Sequence, residues 1–419
     1  VAILIRVKSR PSLSALRKQI FLPTDGTVLL NAGTMSPTPK AVMAAAEGIR
    51  AEQASNPHRF FFERHGQHIT KARATLAKYL RVEKNDLFLV PNVTIALNFA
   101  IFAIDAAVRE GKLKRNTVLV SSLEYGSIAL AWRNASALKV EVVPVHHCQT
   151  WDEIVAAFRK QMNKKTIAIC MSHIAQPNGR VLPVKALVDL ARERGVLSVI
   201  DGAHVPGMLP LDLESLGADA YGANVHKWMM GLANSGFLHV SKAMKNLLRP
   251  MFVSWGLKDL RADNRDTFAP FYGGTQLQGA IEFWGCVDRV PQMVLPQTIE
   301  FLNLVGEERM RARMKELSLY LRKEISPLLE PLGFSDPEQA VALTAFKLPE
   351  CDRGQVRAWF WKRKIAIGAT RLREDVEGRH DEVVESSERE AFLRVSTAWF
   401  NTESDIDHLR DATARWLRR

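Results

Sequence analysis

The 419-residue sequence predicts an α/β protein: a mainly parallel sheet covered by helices on both faces, followed by a smaller α+β domain. Three observations predict it. Short apolar, β-branched runs recur between residues 116 and 241, amphipathic helical patterns separate several of them, and the pattern changes from about residue 285. Strands that are apolar throughout rather than alternating are those buried on both faces, and helices between them imply crossovers to parallel neighbours.

In chain order, the strand candidates are "NTVLVSS" (116–122), "VEVVPV" (140–145), "TIAICMSHI" (166–174), "VLSVIDGAH" (196–204), "ADAYGANV" (218–225) and "SGFLHVS" (235–241). Helical patterns occupy "VTIALNFAIFAIDAAVRE" (93–110), "WDEIVAAFRKQM" (151–162) and "VKALVDLARERG" (184–195). Past residue 285 comes a long charged amphipathic stretch (302–325), followed by "AVALTAFKLP", a helix in "DRGQVRAWFWKRK", two short strands in "IAIGAT" and "FLRVSTAW", and a terminal helix over 403–419. The boundaries expected are an N-terminal segment 1–30, a large domain 31–284 and a small domain 285–419. In parallel sheets ligands bind beyond the carboxyl ends of the strands. Asp201 and Asn224 sit near such ends and are candidate site residues.

Composition narrows the function classes. Hydrophobic residues make up 47% and charged residues 24%, and no apolar run is long enough to span a bilayer. The opening "VAILIRVKS" is a poor secretion signal as it stands, so a cytoplasmic location is expected. Four cysteines lie far apart with no CxxC or CxxH spacing, which argues against a disulfide framework and a metal site. With 57 basic and 45 acidic side chains the net charge is +12, but the basic residues are scattered and not interleaved with aromatics. That pattern fits a surface attracting small anions better than a nucleic-acid or membrane partner.

The chemistry is carried by "IDGAHVPG" (200–207) and "YGANVHKWMMG" (221–231). A desolvated lysine can form a Schiff base with an aldehyde cofactor, and a carboxylate on a neighbouring strand end can keep a pyridine nitrogen protonated. Lys227 and Asp201 form such a pair, as pyridoxal 5′-phosphate requires, although an acid and a lysine at this separation are a weak signal alone. "VPNVTIALNFA" places Asn92, Val93 and Thr94 at a helix start, where free N–H groups and a hydroxyl make a phosphate seat or a cap. Tyr125 in "SSLEYGS" follows a strand end and could stack on a flat ring, and His226 beside the lysine could reach a phosphate.

These pieces, in this order, resemble the class V aminotransferase family of fold-type-I pyridoxal phosphate enzymes, and within it the isopenicillin N epimerase-like proteins. The resemblance runs from "LLNAGTMSPTPKAV" (29–42) through "SNPHRFF", "MSHIAQPNGRVLPV", "NVHKW" and "GGTQ" to "LRVSTAWFNTESDIDHL" (393–409). It implies a seven-stranded, mainly parallel sheet in the large domain. It implies Lys227 as the Schiff-base lysine, Asp201 on the pyridine nitrogen, and Ala203 and His204 against the ring or near its phenolic oxygen. Val93, Thr94, Asn224 and His226 match phosphate-contacting positions, Tyr125 the stacking position and Gln176 the polar residue near the cofactor oxygen. Thr275 matches a residue that reaches the phosphate of a neighbouring subunit, so a homodimer with shared sites is expected. Arg394 matches the arginine that grips the substrate α-carboxylate, with Asn31 and Asn56 as further substrate contacts; His58 and Arg59 either reach substrate or are solvated.

The same resemblance leaves the reaction open between an epimerase or racemase, a C–S or other β-lyase, and a decarboxylase or aldolase acting on an amino acid. Cysteine desulfurases carry a nucleophilic cysteine on the loop before the carboxylate-binding strand, and residues 365–396 contain none. Kynureninases usually have Tyr before the lysine, where this chain has His226. A direct epimerase needs a second acid/base on the opposite ring face, for which Tyr125 or His204 is the candidate. A ligand-responsive regulator would carry a DNA-binding domain first, and only about thirty residues precede "LNAG".

Overall fold

A computed structural model describes residues 10–260, 269–333, 336–371 and 391–419. Seven strands form the central sheet: β1 (Leu87–Val90), β2 (Thr117–Ser121), β3 (Lys139–Val143), β4 (Thr166–Ser172), β5 (Leu197–Asp201), β6 (Ala220–Asn224) and β7 (Gly236–Val240). Their spatial order is β1-β7-β6-β5-β4-β2-β3, and only β7 runs antiparallel to its neighbours. Strands β2, β4 and β6, and the edge strand β1, are buried at every position, as expected of strands covered on both faces.

Helices supply the cover: α1 (Val93–Arg109), α2 (Gly126–Arg133), α3 (Trp151–Gln161) and α4 (Val184–Glu193). Two apolar clusters lie on the sheet, one of them built around α1 and its contacts with Val118, Val120, Val199 and Leu238. Glycine makes the α1 contact close. A Cβ at Gly222 of β6 would come within 2.9 Å of Leu97 and 3.0 Å of Ala96, so only the bare backbone lets α1 lie this near the sheet. The N-terminus of α1 is thereby held beside the end of β6.

Strand β1 is a four-residue run followed by Pro91, too short to carry a strand pattern in the sequence. Helix α5 (Gln276–Glu282) fixes it in place. Glu282, 2% exposed, accepts from Arg73 Nη2 at 3.0 Å, Arg289 Nη2 at 2.9 Å and the Leu89 backbone N–H at 3.0 Å. One carboxylate between two guanidinia is the form in which a buried charge is tolerated, and it specifies geometry more than it adds stability.

Beyond α5, the long amphipathic stretch over 302–325 is made of two helices. Gly306 adopts φ 82° and ends the first helix at Val305, and α6 (Glu307–Ile325) begins afresh. A second sheet orders Gly368–Arg371, Ala391–Ser396 and Leu343–Lys347, all antiparallel. "IAIGAT" likewise divides: Ile365–Ala366 pairs with Val28–Leu29, while Gly368 onward joins the three-stranded sheet. The early chain packs into the body, with Leu16 and Ile20 buried in the main apolar cluster. No helix among the described residues is long and apolar enough to cross a membrane.

Candidate functional site

The carboxyl ends of β4, β5 and β6 open onto a cavity of about 370 Å³. Into it come Val93, Thr94, Tyr125, Gln176, Asp201, Ala203, His204, Asn224, His226, Lys227 and Arg394, together with Gly33, Thr34, Asn92 and Ser172.

At one end is the first turn of α1. Asn92 is its cap, with Oδ1 accepting from the Ile95 N–H at 3.1 Å, and Asn224 Oδ1 accepts from the Val93 N–H at 2.9 Å. Those two bonds leave the Thr94 N–H for a ligand at the positive end of a 17-residue helix. The Thr94 hydroxyl is paired with Ser127 at 3.2 Å. His226 adds a buried Nδ1 with no partner, and burial and then Lys227 hold its ring down to about 4, so it is neutral.

In the middle lies Asp201, the last residue of β5. Its Oδ1 accepts from the Ala203 N–H at 2.8 Å, while Oδ2 is buried without a partner. Burial pushes this carboxyl up, against the opposing pull of the Ala203 N–H and Lys227. A buried carboxylate oxygen without a partner is costly, which is the condition of an acceptor built for a group that arrives with a ligand.

Lys227 Nζ lies 3.3 Å from His204 Nε2, and the Trp228 indole N–H donates to His204 Nδ1 at 3.3 Å. An indole nitrogen only donates, so Nδ1 must accept and a neutral His204 carries its proton on Nε2. That N–H points at Nζ, which can accept only as a free amine. The titration directions agree. Burial, then Lys227, keeps His204 well below its usual value, and burial above all lowers Lys227 to about 8.

At the far side Arg394, 7% exposed, donates from Nη2 to Asn31 Oδ1 at 3.0 Å and to Thr34 Oγ1 at 2.9 Å. Its Nε is buried with no partner. Gly368 is its cross-strand partner, and a Cβ there would come within 2.8 Å of Nε, so the glycine makes room for the guanidinium. Tyr125, 43% exposed, precedes α2 at the cavity mouth, near enough to Arg394 to favour its charge.

Three expected residues lie elsewhere. Asn31 is not in the cavity lining and acts on Arg394. Asn56 is exposed, and its side chain caps the turn at Pro57 by accepting from the Arg59 N–H at 2.9 Å; His58 and Arg59 are exposed beside it. Thr275 caps α5 in a reciprocal box with Gln278, and its expected role concerns a second copy. Conversely, Thr34, Ser172 and Trp228 belong to the site although no motif marks them. The strand-end rule that found Asp201 would also have found Ser172, which pairs with it in register on β4.

The family described as Aminotransferase class-V matches residues 27–409. The chain belongs to that family. Among relatives, an isopenicillin N epimerase from Amycolatopsis lactamdurans is 32% identical over 94% of this chain and 96% of its own length. An L-cysteine desulfhydrase from Arabidopsis thaliana is 24% identical over 99% of this chain and 94% of its own. Among solved structures, a cysteine desulfurase from Escherichia coli superposes with TM-score 0.79 at 19% identity, covering 98% of this chain and 99% of that one, which establishes the fold-type-I architecture.

Class V enzymes use pyridoxal phosphate, and the cavity of this class V chain fits it. The orphaned Asp201 Oδ2 suits a pyridinium N–H, the open Thr94 N–H at a helix N-terminus suits a phosphate, and Lys227, whose amine burial makes easier to deprotonate, suits an aldehyde carbon. Among the described residues no cluster of His, Cys, Asp and Glu could hold a metal ion.

Proposed function

We propose that this class V enzyme is an amino-acid epimerase or racemase that moves the Cα proton of its substrate, with Lys227 as one proton-transfer group. The observation that carries the reading is the contact around Lys227: the Trp228–His204 chain turns an Nε2 donor towards Nζ and so favours the free amine over the ammonium, in a cavity Lys227 shares with Arg394. A base lowered to about 8 is matched to work near neutral pH.

When bound, pyridoxal phosphate supplies an electron sink for the pair left when a bond at Cα breaks. Asp201 would hold the pyridine nitrogen through its free oxygen, and Arg394 would bind and orient the substrate α-carboxylate within reach of Lys227. Lys227 then takes or returns the proton on its face. For the opposite face we favour Tyr125 over His204. Both His204 nitrogens are engaged, by Trp228 and by Lys227, whereas Tyr125 stands at the cavity mouth near Arg394.

The epimerase from Amycolatopsis supports this choice among reactions, as does the lack of cysteine in residues 365–396, of which 372–390 lie outside the described residues. A β-lyase is the second reading, supported by the desulfhydrase relative. The test offers the enzyme a panel of amino acids in heavy water. The proposal expects deuterium at Cα of recovered substrate and the mirror configuration by chiral chromatography, and no persulfide from L-cysteine. Pyruvate, ammonia, sulfide or CO₂ formed without exchange into recovered substrate would favour cleavage instead.

We also propose that the active form is a homodimer in which Thr275 of one copy completes the phosphate seat of the other. In the segment leading to and packing on α5, Phe252, Val253 and Trp255 stand 49%, 73% and 58% exposed in a single copy, an apolar surface suited to a partner. Thr275→Ala should weaken cofactor retention without unfolding the chain. A monomer in sedimentation that still holds cofactor tightly would contradict the shared site.

A further inference from the structure

One acid beside the cavity has no part in the chemistry above. Glu124 lies in the turn between β2 and α2, one residue before Tyr125. Its Oε1 accepts from the Ser172 hydroxyl at 2.7 Å and from the Tyr125 backbone N–H at 2.7 Å, and its Oε2 lies 3.7 Å from Cys170 Sγ. The two β4 partners are buried, Ser172 at 2% and Cys170 at 0% exposure, so the carboxyl is turned inward although the residue is partly exposed. Ser172 lines the cavity and pairs in register with Asp201. Two carboxyl groups therefore end within electrostatic reach of each other, Asp201 at the end of β5 and Glu124 in the turn after β2, on either side of β4.

Two like charges in such a place are not held together; one group keeps a proton. The partners decide which. Asp201 has the cationic form of Lys227 and the Ala203 N–H on its side. The groups facing the Glu124 carboxyl are Asp201 from β5, the Cys170 thiol and Ser172 hydroxyl from β4, and the Tyr125 N–H, none of them positive. Burial first, and then Asp201, push this carboxyl well above the usual carboxylate range.

We propose that Glu124 is a positioning residue that keeps its proton while it fixes Tyr125 and Ser172 at the cofactor cavity, and so reserves the negative charge of the site for Asp201. Oε1 stays the acceptor for the Ser172 and Tyr125 donors, and the proton sits on Oε2, the oxygen that faces the Cys170 thiol. Ionising Glu124 would raise Asp201 in turn and loosen its hold on the pyridine nitrogen. The proposal rests on the role given above to Asp201, but not on which bond at Cα is broken. The sign for stability follows. The folded group titrates above its unfolded value, so its contribution is unpenalised below the unfolded pKa and becomes destabilising as pH rises from there through the folded pKa.

The test compares the cofactor-loaded full chain with Glu124→Gln and Glu124→Ala. Infrared difference spectra at pH 7 should show the C=O stretch of a protonated carboxylic acid in the wild type, absent from the Gln variant and from the wild type at pH 10. Gln keeps both accepted hydrogen bonds, so pyridoxal phosphate affinity at pH 7 should change by no more than about threefold, whereas Ala strands two donors and should lose roughly 10- to 100-fold. Affinity should also fall with rising pH more steeply in the wild type than in the Gln variant. A protonated-acid band that survives Glu124→Gln puts the proton on another group and overturns the proposal. So does a Gln variant as weak as Ala, or an Ala variant with unaltered affinity. A cofactor found covalently attached at a residue other than Lys227 is a separate failure, that of the site assignment.

Discussion

Lys227→Ala should lower Cα-proton exchange roughly 1,000-fold or more, since it removes both the covalent anchor and a proton-transfer group. The yellow colour of the purified protein should be lost with it. The same substitution class should stabilise the protein without cofactor. Burial lowers Lys227 from its ordinary 10.5 to about 8 in the folded chain, so the unfolded chain binds the proton more tightly. The penalty is full below pH 8 and fades as pH rises towards 10.5. Lys227→Met, which keeps the bulk and drops the charge, should therefore raise the urea-derived stability at pH 7 by roughly 1–3 kcal/mol, with the lower part favoured because Lys227 faces cavity water. At pH 10 the gain should be small. Equal stability of the Met variant and wild type at pH 7 would mean that the amine is not desolvated as described.

Arg394→Ala should raise KM and lower kcat/KM by about 2–4 kcal/mol, or roughly 30- to 1,000-fold, the range for truncating a buried charge-paired contact. Part of that loss falls on the protein itself. Asn31 and Thr34 each lose the donor that Nη2 provides, and the hole lies beside Gly368, which has no side chain to fill it. Lysine should rescue only in part, because a point charge cannot reproduce the planar set of donors. Asn31→Ala should show a smaller effect in the same direction, since it leaves the guanidinium in place and removes only one of its two supports. If Arg394→Ala left KM unchanged, the carboxylate would have to bind elsewhere in the cavity.

Most of the cavity was legible in the sequence because its parts are short and local. A strand end, a helix start and the two stretches around Asp201 and Lys227 each carry their chemistry within a few residues. What the sequence hid depends on contacts between distant segments. Thr34 matters only because Arg394, 360 positions away, lies against it. Trp228 matters because its indole sets the tautomer of His204. Glu124 stood inside a quoted motif, but nothing local says that its carboxyl turns under β4 instead of out to water. Asn56 shows the reverse: a polar residue in a familiar motif whose side chain closes a helix turn. In the fold, the six strands from residue 117 onward follow from their apolar runs. The short β1 does not, since four residues carry little pattern and its place depends on Glu282. The break at Gly306 is a φ preference that outweighs a continuous helical period.

The assignment of Lys227 as the residue that carries the cofactor is tested most directly by reduction. Borohydride treatment of the cofactor-loaded protein, followed by digestion and mass spectrometry, should leave the reduced pyridoxyl adduct on the peptide containing "NVHKW", with the modified residue at Lys227. An adduct on any other lysine, or a fully loaded protein that yields no adduct, would contradict the account.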